Sequence, residues 1–239
     1  MKFKHIPDGH QLVTTEDGSE TFYSEMYGEA CHSITGAKSE TILHYIEGCR
    51  IPDKAQHEQL SILEVGFGLG VGLLTTWEKT RALPAKIHFV SLEIDPKLVR
   101  WFHDEFKTHP ALSDPKFTYE ILVGDARKTV PEYVKENKPA WNAIYQDAFS
   151  PKRNPVLWTK EWFTLLRESS AEDVILSTYS ASSSIRKSLV EAGWKLYPGE
   201  KFGPKRSSTR ARLNGESDPE ILLSLERSPV KALTDESDS

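Results

Sequence analysis

The stretch Ser61-Ile-Leu-Glu-Val-Gly-Phe-Gly-Leu-Gly-Val-Gly72 decides the fold. Ile62, Leu63 and Val65 supply an apolar, partly β-branched strand. Gly66, Gly68 and Gly70 let the backbone turn tightly and approach a ligand with no Cβ in the way. Leu73, Leu74 and Trp77 then fall at helical spacing. Strand, glycine turn and helix in that order open a doubly wound sheet, whose ligands sit in the crevice at the carboxyl ends of the strands.

Working outward, the alternation continues: strand 61–65, helix 70–79, strand 87–93, helix 96–107, strand 117–123, helix 127–136, strand 142–147. It predicts a parallel sheet flanked by helices. Asp95-Pro96 reads as a helix start, with Asp as cap and Pro in the first helical position. Downstream come a helix over 158–167, a strand over 173–179, a helix over 182–192 ending at Gly193, and strands at 194–197 and 209–213 that pair across a basic loop. Residues 219–226 fit either a strand or a helix. Upstream, Gln11–Thr15 and Glu20–Tyr23 flank the turn Glu16-Asp-Gly18 as a hairpin, followed by a helix over 38–48. The expected organisation is an N-terminal hairpin and helix extension (1–50) packed on the core, a Rossmann-like domain (51–228) and a disordered acidic tail (229–239).

Composition bounds the function. A chain of 239 residues, 38% of them hydrophobic, can bury a globular core. No apolar run approaches the length of a membrane span, and Met1-Lys-Phe-Lys-His-Ile-Pro lacks the apolar core of a signal peptide. Cys31 and Cys49 show no metal-ligand spacing, so no metal is expected, and free thiols in a reducing cytoplasm are the simplest reading. A net charge of −5 argues against a generic polyanion binder, so a nucleic-acid role needs a local basic patch.

The acidic residues near the strand ends select the ligand. A dinucleotide site would hold a pyrophosphate at the helix N-terminus. Glu64, two positions before Gly66, would repel phosphate but suits the ammonium group of an amino acid. Glu93, near the end of the second strand, can accept ribose hydroxyls. Gly124-Asp125-Ala126 ends the third, where Asp125 can accept from an adenine amino group. An α-amino acid, a ribose and an adenine without phosphate describe S-adenosylmethionine. The glycines alone also fit a plain tight turn, so the acids carry this reading.

The fourth strand ends in Tyr145-Gln-Asp-Ala-Phe-Ser-Pro-Lys-Arg-Asn-Pro155. Asp147, at the carboxyl edge and beside Phe149, is suited to hold an amine close to an electrophilic methyl; the alternative is a carboxylate that caps a loop. Glu29, His32 and Ser33 offer polar groups to the same edge, although a lone His also reads as a surface or satisfied core residue. Residues 201–212 hold five basic residues and no acidic one, a phosphate-binding candidate or else a solvated hairpin loop. Lys152, Arg153, Arg186 and Lys187 enlarge that patch if folding brings them together.

These pieces resemble one family. Asp17-Gly-Ser19, Gly28-Glu-Ala-Cys-His-Ser33 with Gly36-Ala37, Glu64-Val-Gly-Phe-Gly-Leu-Gly70, Asp147-Ala-Phe-Ser-Pro151 with Asn154-Pro155 and Leu157-Trp158, and Phe202-Gly-Pro-Lys-Arg206 occur in family order. The chain resembles the methyltransferase module of the bifunctional bacterial family that makes 5-methylaminomethyl-2-thiouridine in tRNA. The resemblance implies an α/β, Rossmann-like class I S-adenosylmethionine-dependent methyltransferase with a mostly parallel seven-stranded sheet. It implies tRNA as partner and methyl transfer to the amine of 5-aminomethyl-(2-thio)uridine at the wobble position. Asp147 and Phe149 are then the catalytic candidates, and Glu64, Gly66, Gly68, Gly70, Glu93, Asp125 and Ala126 hold the methyl donor. Glu29, His32, Ser33, Lys152, Arg153, Lys205 and Arg206 contact the substrate. The bifunctional proteins add an FAD-dependent oxidase half. No second dinucleotide fingerprint occurs here, so a stand-alone form without FAD is expected, its aminomethyl substrate coming from a separate oxidase or an upstream modification enzyme. The rival reading is a methyl- or aminopropyltransferase acting on a small-molecule amine.

Overall fold

The computed structural model describes residues 2–3, 5–57, 59–202 and 207–238. The chain opens with β1 (His10–Thr14) paired antiparallel to β2 (Glu20–Ser24), whose other edge takes the two residues of β3 (Glu29–Ala30). Asp17 in the hairpin turn accepts the Ser19 N–H at 2.9 Å through one oxygen. Through the other it accepts the Ser39 N–H at 3.1 Å and the Ser39 hydroxyl at 2.7 Å. That clip ties the turn to α1 (Ala37–Thr41), which continues into a π-helical turn, Ile42–Glu47, before α2 (Ile51–Lys54).

The core follows the predicted alternation. It runs β4 (Gln59–Val65), α3 (Val71–Thr80), β5 (Lys86–Glu93), α4 (Pro96–Glu105), β6 (Phe117–Val123), α5 (Ala126–Asn137) and β7 (Trp141–Gln146). Then come α6 (Lys160–Glu168), β8 (Ser170–Thr178), α7 (Ser183–Glu191), β9 (Lys195–Gly199), β10 (Ser208–Arg212) and α8 (Pro219–Arg227). Asp95 caps α4 by accepting the Lys97 N–H at 2.8 Å, as its position before Pro96 requires. The segment 219–226 is helical because Asp218 caps it through the Ile221 N–H at 3.0 Å and Ile221 and Leu225 share one buried face.

The seven strands lie in the order β6-β5-β4-β7-β8-β10-β9. The first five are mutually parallel, and β10 runs antiparallel to β8 and β9. From β4 the chain moves out through β5 and β6, then returns to place β7 on the other side. The crevice of a doubly wound sheet opens at such a reversal. Both faces are covered. Ile62, Phe89 and Tyr145 pack in one cluster with Leu73, Trp77 and Phe102. Leu63, Val90 and Ile144 pack in another with Val130, Trp162 and Leu189. Such double burial explains the near-continuous apolar strands. Phe22, Tyr45 and Ile46 of the extension are buried within the first cluster.

The tail makes contacts with the core. The Leu233 N–H donates to the Ser188 hydroxyl at 2.8 Å, and its carbonyl accepts the Lys160 N–H at 2.8 Å. Arg127 on α5 pairs with Asp235, and Asp235–Asp238 forms a 3-10 turn. A basic partner on the core thus holds Asp235, in a segment whose composition alone argues for solvent. No helix among the described residues is long and apolar enough to cross a membrane.

Candidate active site

The loop between β4 and α3 is built on glycine. Gly66 has φ 102° and Gly68 φ 56°, the left-handed region that a side chain disfavours. A Cβ on Gly66 would stand 2.7 Å from the Asp147 carbonyl oxygen, and one on Gly68 would stand 3.0 Å from Cys31 Sγ. Glycine here lets three segments meet: the loop, the end of β7 and the extension.

A cavity of about 410 Å³ opens at the carboxyl ends of β4, β5, β6 and β7. Gly66, Gly68, Glu93, Asp125 and Ala126 line it, and Asp147 and Phe149 line its far wall. The extension closes the remaining side with Phe22, Tyr27 and Cys31. Its size is that of a small-molecule site. Asp8, Glu25, Glu93, Asp95, Asp125 and Asp147 face it against Lys97 and His10, so the wall favours a ligand carrying positive charge.

Glu93 joins the wall to the loop. Its Oε2 accepts the Gly68 N–H at 2.9 Å and its Oε1 the Asp95 N–H at 2.9 Å. Burial pushes its carboxyl up to about 7, against the pull of those hydrogen bonds. Asp125 caps α5 through the Arg127 N–H at 3.0 Å, with Lys128 Nζ 3.7 Å away. Glu64 lies elsewhere: its carboxylate is buried beneath the loop against Gly72, accepts the Ser91 hydroxyl and is not among the cavity-lining residues. Burial raises its pKa well above the usual carboxylate range.

Asp147 lies where β4, β7 and the extension meet. Its N–H donates to the Val65 carbonyl at 3.0 Å. The Tyr45 hydroxyl donates to its Oδ1 at 2.6 Å, and His32 Nε2 stands 3.9 Å from its Oδ2. His32 Nδ1 is 2.8 Å from the Thr21 hydroxyl. Glu29 holds the following loop by accepting the Ser150 N–H at 3.2 Å and hydroxyl at 2.7 Å. The Ser33 N–H donates to Glu40 at 2.7 Å. Phe149 stacks on Tyr27 with centroids 4.4 Å apart. Glu29, His32, Phe149 and Asp147 therefore converge.

The basic candidates divide. Lys152 and Arg153 are exposed on the loop after Asp147, and the Arg153 guanidinium lies over Gly28. Arg186 instead donates to Thr209 Oγ1 at 2.9 Å and the Ser208 carbonyl at 3.1 Å, and Lys187 to the Ser228 carbonyl at 2.8 Å. Those bonds staple α7 to its neighbours, and the Arg186 guanidinium lies against residues 208–209 of the basic segment. Lys205 and Arg206 lie outside the described residues.

Sequence reading missed Tyr45 and Tyr27 as site residues. Tyr45 reads as one apolar position among Ile42, Leu43 and Ile46, but a phenol on a buried helix face needs a hydrogen-bond partner, and that was the available signal.

Residues 94–214, just over half of the chain, match the family described as S-adenosyl-L-methionine-dependent methyltransferase. The chain is 30% identical over 95% of its length to the "tRNA 5-methylaminomethyl-2-thiouridine biosynthesis bifunctional protein MnmC" of Burkholderia mallei, of which it spans 38%. The structure of MNMC2 from Aquifex aeolicus superposes with a TM-score of 0.80 at 31% identity, covering 99% of this chain and 83% of that one. A probable spermidine synthase from Corynebacterium glutamicum superposes at 0.59 and 14% identity, over 95% of this chain and 92% of that one, a likeness of fold.

Proposed function

The chain belongs to the family of S-adenosyl-L-methionine-dependent methyltransferases that includes MNMC2 and the MnmC proteins, and we propose that it methylates the primary amine of 5-aminomethyl-(2-thio)uridine at the wobble position of tRNA. One observation carries this reading: Asp147 stands on the cavity wall at the end of β7, its carboxylate held by Tyr45 and faced by His32.

In this mechanism the glycine loop and the acidic wall hold the sulfonium donor. Glu93 accepts the ribose hydroxyls and Asp125 the adenine amino group, while Glu64 supports the loop from beneath. The donor supplies an electrophilic methyl whose bond to sulfur breaks as the bond to nitrogen forms, leaving a neutral thioether. The amine attacks only after losing its ammonium proton. Asp147 accepts an N–H of the amine, aims the nitrogen lone pair and helps pass the proton to water. Most of the rate comes from alignment of nitrogen, methyl and sulfur. Phe149, backed by Tyr27 on one face, offers an aromatic wall to an unstacked base. Lys152, Arg153, Lys205 and Arg206 contact tRNA phosphates.

The test incubates the protein with labelled S-adenosylmethionine and tRNA from cells lacking the methyltransferase, and identifies the nucleosides by mass. Conversion of aminomethyl to methylaminomethyl uridine is the expected result. Label that enters small amines but never tRNA would overturn the acceptor assignment.

A further inference from the structure

We infer that Tyr45 is the positioning residue for Asp147, an inference that rests on the proposed role of Asp147 in methyl transfer. Tyr45 is 1% exposed and sits in the π-helical turn Ile42–Glu47. Such turns are rare, and they recur at functional sites because the extra residue re-aims the side chains of a helix. The Tyr45 ring stacks on Tyr145 of β7 with centroids 5.3 Å apart and planes at 27°, and the Tyr145 hydroxyl lies 3.2 Å from Thr76 Oγ1 on α3. The ring therefore rests on a residue of β7 that α3 in turn holds, before its hydroxyl is considered.

That hydroxyl donates to Asp147 Oδ1 at 2.6 Å, the length of a charge-assisted bond. Burial, and after it the Asp147 charge, holds the phenol well above its ordinary range, so it remains a donor. The other carboxylate oxygen faces His32, itself fixed by Thr21 of β2. A carboxylate gripped at one oxygen presents the other in a set direction, and proximity catalysis depends on that direction. Phenylalanine would satisfy the packing at position 45 equally well. The hydroxyl is what the packing does not require.

Tyr45→Phe keeps the ring and deletes the bond. The expected result is a fall in kcat of about 10- to 100-fold, the kinetic equivalent of one hydrogen bond to a charged group, with the S-adenosylmethionine Kd within about twofold of wild type. In an Asp147→Ala background the same change should have no further effect on kcat, since a positioning residue acts only through the group it positions. A kcat within about twofold of wild type would overturn the inference. Wild-type protein that methylates no tRNA would defeat the acceptor assignment and not the role of Tyr45. In that event, crystal structures of wild type and Tyr45→Phe decide. A rotated or split Asp147 carboxylate supports the inference, and an unmoved one overturns it.

Discussion

A Cβ on Gly66 would lie 2.7 Å from the carbonyl oxygen of Asp147, so the first glycine of the loop and the catalytic candidate are in backbone contact. The bond from the Asp147 N–H to the Val65 carbonyl, 3.0 Å long, locks the same two segments. Gly66→Ala would add that clash to a φ of 102°. The expected outcome is a loss of roughly 2 kcal/mol of stability, read by thermal melting, and at least about tenfold weaker S-adenosylmethionine binding, read by calorimetry. Wild-type values on both would show that the contact can relax.

Asp147→Ala should separate binding from turnover. Its carboxylate is one group on the cavity wall, whereas Gly66, Gly68, Glu93 and Asp125 line other parts of it. Single-turnover methylation should slow by about 10²- to 10⁴-fold, the usual range for a missing acid-base group, while donor affinity changes little. Equal reductions in both would make Asp147 a donor ligand.

Glu93 sets a pH dependence. Its carboxyl is raised by burial from 4.5 to about 7. Between those values the folded protein binds more protons at this site than the unfolded chain does, so the stability it contributes is complete below about 4.5 and is lost as the pH rises through about 7. Ribose hydroxyls donate to the ionised form, so ligand binding at Glu93 should release a proton. S-adenosylmethionine affinity should therefore strengthen from about pH 6 to about pH 8, and Glu93→Gln should flatten that dependence. Calorimetry in buffers of different ionisation enthalpy reads the proton directly; proton uptake on binding would contradict the prediction.

The basic residues make two opposite forecasts. Removing exposed Lys152 and Arg153, or Lys205 and Arg206, should weaken tRNA binding and lower its salt slope by about one for each phosphate that is no longer neutralised. Arg186→Ala should instead lower the melting temperature, because its guanidinium bonds Thr209 and the Ser208 carbonyl. Filter binding across a salt series, run beside thermal melts, distinguishes a phosphate ligand from a staple.

Much of the fold was legible in local patterns. Apolar strands followed by glycine or Asp and then by a helical stripe mark β4 to β7, because both faces of a parallel sheet are buried and each turn needs its own chemistry. Residues 219–226 stayed ambiguous until the Asp218 cap and the shared face of Ile221 and Leu225 settled them as helix. Acidic composition likewise says nothing of Arg127, which pairs with Asp235 of the tail. The direction of Glu64 was equally illegible: a strand-end carboxylate points to either side of the loop, and here Gly72 leaves room for it below.

By itself the sequence determined the doubly wound sheet, the glycine loop and the acids near successive strand ends, Glu93, Asp125 and Asp147, since each depends on residues adjacent along the chain. Only the tertiary structure decided which groups surround Asp147. Tyr45 and His32 reach it from an extension some hundred residues earlier in the chain, and Tyr27 closes on Phe149 from the same extension. Contacts between segments so far apart in sequence leave no periodicity to read, because they are selected by packing of the extension against the sheet edge and not by local backbone preference.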